Sequence, residues 1–406
     1  MSNYPKLVFE NFLGSLPEDL SRYRPLAEQG LQRLFEDAAR DLGDGRTFIS
    51  TGDIPAMWLR DSSFQVKPLI HFAKDPDIYA FISSVIKLQA EYIRIDPYAN
   101  AFNIEPNGNC WHKDFPDQSP WVFERKWEID SLASFFDISL SLAEVSGNES
   151  HLTENWWKAA ELVVETFSKE TRHEPNSYRF LRDSEVKHDF LSNDGYGEEF
   201  ESCGLIWSAF RPSDDACQLP FNIPQNAYAA VQLERLASLA EKRLASIALE
   251  LATGIREGIK VHALVNGIYA YEVDGLGNQI FLDDANFPSL LSLPYLGFCV
   301  KTDENYLRTR NFALSSKNPY FFQGSQFSHI GSMHTGPDRV WPLAMCMEII
   351  TAVKPNQKLL ENLVNTVAHG SFNESVHIDN PKVFTREWFS WADMTFVEAL
   401  ISEVQK

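Results

Sequence analysis

The sequence predicts an all-α protein, an α/α toroid in which inner helices ring a central cavity and outer helices shield them. Three observations lead to this fold class. Apolar side chains at helical spacing are the dominant pattern, the helical segments come in pairs, and the connections between them are long and rich in aromatic residues. A generic multi-helix bundle is the alternative, because periodicity alone does not separate the two architectures.

The predicted helices are amphipathic and number about eleven or twelve by this pattern. Within residues 25–41, for example, Leu31, Leu34 and Ala38 share one face. Pro224 suits a first helical turn, where its missing N–H is not needed. The predicted set covers residues 25–41, 61–73, 77–95, 128–145, 153–170, two helices within 224–264 that break near Lys242, 286–296, 303–316, 339–353, 356–369 and 386–404.

Long connections separate these helices, and one of them contains a predicted short strand over residues 268–273. Loops longer than about 15 residues are usually functional or disordered. Their aromatic content here argues against disorder. We find no repeat, low-complexity tract or Pro- and Ser-rich linker, so residues 1–406 are expected to form a single catalytic domain. The long connections cover residues 96–127, 172–222, 265–284 and 317–338.

Charge and composition exclude several classes of function. The formal net charge is −20, which argues against binding to nucleic acid or to an anionic membrane surface. No apolar run approaches the roughly 18 residues that a membrane span needs. The start of the chain shows no signal peptide, which predicts a cytoplasmic protein; a mature secreted form stays open. Nothing in the sequence indicates an obligate protein partner.

Cysteine usage and missing motifs exclude other chemistry. The five cysteines are scattered and form no CxxC pair, so we expect reduced thiols and neither a zinc site nor a redox site. The chain lacks a Walker loop, GxGxxG, HExxH and GxSxG. Hydride transfer, phosphoryl transfer and zinc proteolysis therefore have no support, and no metal or cofactor is expected.

Carboxylates flanked by aromatic residues are the remaining indication of function. Residues 51–63 (TGDIPAMWLRDSS) place Trp58, Arg60 and Asp61 at a junction between a loop and a helix. A sugar site uses such a set, with an aromatic platform and paired hydrogen-bonding groups for vicinal hydroxyls. The plainer reading is that Trp58 belongs to the core and that Asp61 caps the helix.

A second segment, RPSDDA, carries the adjacent acids Asp214 and Asp215 after a proline-restricted turn. Burial of this loop would raise the pKa of a carboxyl group, because desolvation and like charge both disfavour ionisation. A carboxyl that stays protonated near neutral pH is what a general acid requires.

A third segment, FTREWFSWAD, places Glu387 among four aromatic side chains near the C-terminus. Thr385 is a reasonable N-cap there, which would put Glu387 in the first helical turn as a partner of the helix dipole. Other polar positions are weaker candidates. They are Glu124 and Glu128 in FERKWEIDSL, Asp283, Asp284 and Asn286 in DDANF, and His334, Asp338 and Arg339 in HTGPDR.

Together, TGDIPAMWLRDSSFQ, RPSDDA, DDANFPSLLSLPYLG, HTGPDRVWP and FTREWFSWAD resemble glycoside hydrolase family 125, the exo-acting α-1,6-mannosidases. The motifs span about residues 51–393, which is nearly the whole chain. The resemblance implies an (α/α)6 barrel, in agreement with the helix count. It also implies metal-independent hydrolysis of terminal α-1,6-linked mannose with inversion, on a mannose-terminated oligosaccharide such as an N-glycan fragment.

The resemblance also implies residue roles. The general acid falls on Asp214, with Asp215 as the second choice, and the general base falls on Glu387. Sugar-contacting roles carry over to Trp58, Arg60, Asp61, Glu128, Asp215, Asp284 and His334.

Three other readings stay open at this point. The chain could be a glycosidase for another sugar or linkage, because the motifs do not reveal the leaving group. It could be a sugar epimerase on the same barrel, for which His329 and His334 are the available histidines. A glycan-binding protein without catalysis is the third, although both catalytic carboxylates are present.

Overall fold

The computed structural model describes residues 5–174, 177–186, 188–367 and 369–406, and 46% of it is helical. Short stretches of 3-10 or π helix follow some of the α-helices, at Leu34–Ala38, Lys67–Phe72 and Ile259–Ala263. The α-helices are α1 (Lys6–Gly14), α2 (Glu18–Ser21), α3 (Arg24–Arg33), α4 (Leu59–Val66), α5 (Pro76–Ile95), α6 (Ile129–Ser146), α7 (Glu154–Glu170), α8 (Ser192–Gly195), α9 (Ile223–Ala237), α10 (Lys242–Gly258), α11 (Glu304–Ala313), α12 (Pro342–Thr351), α13 (Gln357–Val364) and α14 (Ser390–Val404).

Short antiparallel strands lie in the long connections. They are β1 (Ala39–Asp41), β2 (Thr47–Ile49), β3 (Met57–Trp58), β4 (Ala101–Phe102), β5 (Val122–Glu124), β6 (Phe221–Asn222), β7 (Leu264–Val265), β8 (Ile268–Tyr269), β9 (Glu272–Val273), β10 (Gln279–Ile280), β11 (Phe321–Gln323), β12 (Ser328–Ile330), β13 (Arg339–Val340), β14 (Ser375–His377) and β15 (Asn380–Thr385). Three three-stranded sheets have the orders β3-β4-β5, β10-β9-β6 and β13-β14-β15. The strand predicted over 268–273 is therefore two strands, β8 and β9.

The helices form an inner row and an outer row. In the inner row α12, α14, α4, α6 and α9 pack against one another in that order, and the outer helices α13, α3, α5 and α10 each pack on an inner helix, with α7 against α5 and α10. Every residue of α4 is buried, and α6, α9 and α14 are buried on nearly all sides. A helix buried all round is the signature of an inner layer, so the predicted inner and outer arrangement is observed over this arc.

Local sequence explains where the helices begin. Asp75 accepts hydrogen bonds from the first-turn N–H groups of α5, and Thr153 does the same for α7. Asn222 caps α9, and Pro224 lies in its first turn as predicted. Each cap satisfies a backbone donor that has no partner within the helix. Among the helices of the described ranges, none is both long and apolar enough to span a lipid bilayer.

The helix predicted over residues 286–296 is wrong. This segment consists of turns and bends, because Pro288 and Pro294 remove backbone donors. The Asp283 carboxylate instead accepts the N–H groups of Leu290 and Leu291 at 2.7 and 2.9 Å. Asp284 and Asn286 therefore cap no helix here.

The C-terminal helix begins later than predicted. Thr385 is the last residue of β15, and α14 starts only at Ser390. Thr385 is not an N-cap, and Glu387 lies in the loop before the helix rather than in its first turn. At the other motif, Asp61 lies inside the first turn of α4 and caps nothing, since Trp58 is the N-cap residue.

The N-terminal ends of the inner helices lie at one end of the molecule. Trp58 precedes α4, Glu128 precedes α6, Trp341 precedes α12 and Phe389 precedes α14. The sheet β3-β4-β5 connects the segments that precede α4 and α6. This end carries all three motifs that the sequence singles out.

Gly52 joins two of these motifs, and its replacement tests that packing. Its φ is +58°, and a Cβ there would meet the Trp388 carbonyl oxygen at 2.8 Å. We expect Gly52→Ala to lower the free energy of unfolding by about 1–3 kcal/mol, measured as a fall in the thermal midpoint. The control is Gly14→Ala, which meets nothing within 4 Å and should leave the midpoint unchanged or raise it. Equal midpoints for the two variants would contradict this packing.

Candidate active site

A cavity of about 350 Å3 opens at the end of the molecule where the inner helices begin. Its wall is mixed, with aromatic rings beside acids and bases, as expected for a site that binds a polar ring molecule. The lining residues are Thr51, Ile54, Trp58, Arg60, Asp61, Trp111, His112, Glu124, Lys126, Arg182, Asp189, Pro212, Ser213, Asp214, Asn286, His334, Trp341, Glu374, Arg386, Phe389 and Trp391.

Arg60 organises the floor of the cavity. Its side chain is only 3% exposed and contacts four carboxylates. Its nitrogens lie 2.5 Å from Glu128, 3.0 Å from Asp214, 3.3 Å from Asp130 and 3.4 Å from Asp61. The guanidinium also lies 5.6 Å from the centre of the Trp391 ring. One positive charge therefore serves four acids in a buried site.

The protonation of this cluster follows from its charge. Burial raises the pKa of Asp61 to about 6 despite the nearby guanidinium, and burial raises the pKa of Asp130 to about 6. Burial also raises the pKa of Glu128 well above its usual value, and the charges of its carboxylate neighbours add to this. One guanidinium cannot balance four ionised acids at low dielectric, so Glu128 holds a proton near neutral pH, and Asp61 and Asp130 take up protons near pH 6.

A tight loop presents Asp214 to the cavity. The Arg211 N–H donates to the Asp215 carbonyl, the Asp214 N–H donates to the Arg211 carbonyl, and Asp214 takes a left-handed φ of 63°. Buried Arg211 anchors the loop through two hydrogen bonds to Glu272, at 2.5 and 2.9 Å. Lys126 donates to the Asp214 carbonyl oxygen at 2.7 Å. A backbone strained in this way is typical of functional loops.

The pKa of Asp214 differs from the sequence expectation. Burial alone would raise it, but the charge of Arg60 and a hydrogen bond from Glu128 hold the pKa of Asp214 below its usual range. Glu128 and Asp214 are thus a hydrogen-bonded carboxyl pair whose proton resides on Glu128. The expectation of a raised pKa was wrong for Asp214 because the loop sequence does not reveal its distant cationic neighbour.

Asp215 points elsewhere. Its carboxylate accepts from Ser213 at 2.9 Å and contacts the His334 ring at 3.1 Å. Burial alone would lower the pKa of His334, but the charge of Asp215 raises it to about 10. Burial alone would raise the pKa of Asp215, but the charge of His334 holds it below its usual value. Asp215 does not line the main cavity, whereas Asp214 and His334 do. Because Ser213 and His334 already bind the Asp215 carboxylate, Asp214 is the better candidate for the reacting acid.

Glu387 lies beside the cavity but is not among its lining residues. Its side chain is exposed, and within the described ranges it has no hydrogen-bond or ion-pair partner. The neighbouring Arg386 fixes the segment by donating to Asp53 at 2.6 Å and to the Thr51 carbonyl at 2.6 Å. The first and third motifs therefore clamp the Glu387 loop to the cavity rim.

Two other predicted sugar-contacting residues lie behind the wall. Glu128 is fully buried and reaches the cavity only through Arg60 and Asp214. Asp284 accepts from Ser332 at 2.8 Å and from both nitrogens of Asn286 at 2.9 and 3.1 Å. It is Asn286 that lines the cavity. Trp58, Arg60, Asp61 and His334 line it as expected.

The histidines considered for an epimerase do not meet in the cavity. His334 lines it, but His329 is 2% exposed and contacts Glu348 at 2.8 Å instead. A pair of histidines on opposite faces of one sugar is therefore not formed by these two residues.

Apart from Glu124, which was a weaker candidate, sequence reasoning missed one side of the cavity. Lys126 contacts Asp189 at 2.9 Å, and Arg182 contacts Asp189 at 2.7 Å and Glu124 at 3.0 Å. Arg182 also binds Asp114 through two hydrogen bonds of 2.8 Å. These residues come from three loops without a shared motif, so no local pattern marks them. Glu374, which is 9% exposed and lines the cavity near Arg386, was also missed.

Comparison with known proteins decides the family. Residues 22–401 match the family model described as the metal-independent alpha-mannosidases, GH125. The chain belongs to glycoside hydrolase family 125. A relative is the meiotically up-regulated gene 157 protein of Schizosaccharomyces pombe, 36% identical over 94% of this chain and 84% of that protein.

Solved structures agree with this assignment. A metal-independent α-mannosidase of Streptococcus pneumoniae, in a non-productive complex with α-1,6-mannobiose, is 39% identical, with a TM-score of 0.95 over 99% of each chain. A wild-type glycosidase at 14% identity has a TM-score of 0.60 over 96% of this chain and 99% of its own, which shows a shared fold only.

In this α-mannosidase, a guanidinium lies among the clustered acids. Among the residues that the structure describes, no three His, Cys, Asp or Glu side chains are grouped so as to hold a metal ion. Arg60 contacts all four carboxylates of the cluster, and its side chain supplies the nearest positive charge. Its fork of N–H donors suits bidentate contact with oxygens.

The buried acids make the stability of this α-mannosidase depend on pH. Burial raises the pKa of Asp393 to about 7, and those of Asp61 and Asp130 to about 6. The folded state therefore binds more protons than the unfolded state between about pH 4 and 7, so stability falls as pH rises. Each proton released contributes about 1.4 kcal/mol per pH unit.

We expect a higher thermal midpoint at pH 5 than at pH 8, measured by scanning calorimetry in matched buffers. Asp393→Asn should reduce this difference, because it removes a group that titrates in this window. Asp393 also lies outside the cavity wall, so the substitution leaves the cavity lining unchanged. A midpoint that rises between pH 5 and pH 8 would show that these acids are ionised in the folded state.

Proposed function

We propose that this chain is an exo-acting, inverting α-1,6-mannosidase that releases terminal mannose from N-glycan fragments or related mannosides. The observation that carries the proposal is the placement of Asp214 on a strained loop facing a closed-ended cavity, next to Arg60. The family supplies the α-mannosidase activity. The linkage is supported by the S. pneumoniae relative, which binds α-1,6-mannobiose. We extend the arc of inner helices to a closed (α/α)6 barrel in a single domain, and we assign the chain to the cytoplasm.

In this proposal Asp214 is the general acid, and it donates a proton to the glycosidic oxygen as the bond to the anomeric carbon breaks. The Glu128–Asp214 pair holds one proton, and Arg60 touches both members. Because two interacting carboxyls titrate as a pair, the proton on Glu128 is available to Asp214 within one hydrogen bond. Glu128 thus serves as the proton partner of the acid rather than as a sugar ligand.

Glu387 is the general base, and it removes a proton from the water that attacks the opposite face of the mannose. Its exposed carboxylate has no competing partner among the described residues, so it is free to bind water. The clamp of Arg386 on Asp53 and Thr51 holds the loop at the cavity rim. An inverting enzyme needs room for this water, with carboxyl groups roughly 6.5–9.5 Å apart.

The shape of the cavity supports exo action. Arg60 and its carboxylates close the floor, and the buried rings of Trp58, Trp341 and Trp391 form walls. A sugar bound against this floor can extend only toward the mouth. Asp61, Asn286 and His334 supply hydroxyl partners around it, and contacts that strengthen as the ring flattens accelerate the reaction.

Two variants test the roles. Asp214→Asn and Glu387→Gln should each fold and lose about 10²–10⁴-fold in kcat on α-1,6-mannobiose. With 2,4-dinitrophenyl α-mannoside, whose leaving group needs no proton, Asp214→Asn should regain much of its rate and Glu387→Gln should not. Initial rates are measured beside the surface control Glu154→Gln, which lies on α7 away from the cavity.

Glu374→Gln distinguishes the two acids at the rim. If Glu387→Gln retained near wild-type turnover while Glu374→Gln lost it, the base would be Glu374 and the assignment of Glu387 would be wrong. If Asp214→Asn gained nothing from the activated leaving group, Asp214 would not be the acid.

A further inference from the structure

An aromatic row leads from the cavity wall to its mouth. Trp58 is 4% exposed in the wall, and its ring meets Phe123 edge-on at 5.7 Å. Phe123 is 5% exposed and meets Trp111 edge-on at 5.3 Å. Trp111 lines the same cavity but is 55% exposed. Exposure therefore rises abruptly at the last ring, which marks it as the rim of the cavity.

Hydrogen bonds to neighbouring segments fix the position of the loop that carries Trp111. Asn103 donates to the Asn109 carbonyl at 2.9 Å and to the Pro120 carbonyl at 3.1 Å. The Gly108 N–H donates to the Pro120 carbonyl, and the Phe115 N–H donates to the Leu181 carbonyl at 2.9 Å. These bonds cross the loop at both of its ends, so the indole is presented at a defined position.

We propose that Trp111 is the platform on which the sugar next to the cleaved mannose stacks. The inference rests on the proposed exo action, because an exo enzyme keeps the terminal sugar in the pocket and leaves the second sugar at the mouth. Apolar ring faces of sugars pack on aromatic rings, and an indole offers a large rigid surface at low entropic cost. Trp111 then selects mannosides whose leaving group is itself a sugar.

The polar residues around Trp111 suit this role. His112 follows it in sequence and lines the cavity. Arg182 and Asp189 line the same side and pair with each other at 2.7 Å. Arg182 is only 3% exposed and also binds Asp114 and Glu124, so the acceptor on this side is the 18% exposed carboxylate of Asp189. A sugar needs polar partners of this kind beside an aromatic face. The far side of the cavity binds the terminal mannose through Arg60 and Asp61.

The test compares two substrates that share the cleaved mannose. α-1,6-Mannobiose has a sugar as its leaving group, whereas α-mannosyl fluoride has none. Trp111→Ala should lower kcat/KM for mannobiose about ten- to a hundredfold, the range found when a central aromatic contact is truncated. Its kcat/KM for the fluoride should stay within about twofold of wild type, because the pocket for the terminal mannose is intact.

Phe115→Ala is the matched control. Phe115 is on the same loop and is 51% exposed, but it does not line the cavity. It should leave both substrates unchanged. Equal losses on mannobiose and fluoride in Trp111→Ala would mean that the indole shapes the pocket for the terminal mannose. No loss on mannobiose, or the same loss in Phe115→Ala, would equally overturn the proposal.

Binding gives a readout that does not depend on turnover. In the Asp214→Asn background, calorimetric titration should show tighter binding of α-1,6-mannobiose than of mannose, and adding Trp111→Ala should remove that difference. Wild-type protein is first tested on α-1,2-, α-1,3-, α-1,4- and α-1,6-mannobiose. If another linkage is cut, the proposed linkage fails, and the Trp111 comparison is made with that disaccharide. A preference that persists without the indole overturns the platform whatever the linkage.

Discussion

A single buried guanidinium holds the active end of this protein together. Arg60 lies in the first turn of α4 and contacts Glu128 and Asp130 at the start of α6, as well as Asp214 on a separate loop. Removing one partner of a buried ion pair usually costs 3–5 kcal/mol, because it leaves an uncompensated charge. Here one cation contacts four acids and cannot neutralise them all, so the geometry of the site and its protonation state depend on the same residue.

The surrounding fold makes such a cluster tolerable. Asp61 and Asp130 occupy first turns of inner helices, where the positive end of the helix dipole favours negative charge. The partial protonation of the cluster lowers its remaining charge. The proposed mechanism uses the same imbalance, since a site that holds more acids than cations keeps a proton beside the scissile bond. The stability and the chemistry of this end are two consequences of one arrangement.

Local patterns in the sequence predicted much of the fold and part of the site. Helical periodicity located α5, α6 and α7 to within a few residues. A capping side chain marks the start of α5 and of α7, whereas α6 is buried on nearly all sides and has no such cap. It failed over residues 286–296, where the buried Asp283 carboxylate binds backbone N–H groups in place of a helix. The motifs pointed to Asp214 and Arg60, but not to the lowered pKa of Asp214, which depends on contacts far away in sequence. The charged side formed by Lys126, Arg182 and Asp189 was invisible for the same reason.

The stereochemistry of the first product tests the central claim, that Asp214 and Glu387 act as acid and water-activating base across one mannose. Proton NMR of the reaction with α-1,6-mannobiose, recorded from the earliest time points, distinguishes the anomers before they equilibrate. Attack by water on the face opposite the leaving group predicts that β-mannose appears first and then mutarotates. If α-mannose appeared first, the enzyme would be retaining, which requires carboxyl groups about 5–5.5 Å apart and a covalent intermediate, and the proposed pairing would be wrong.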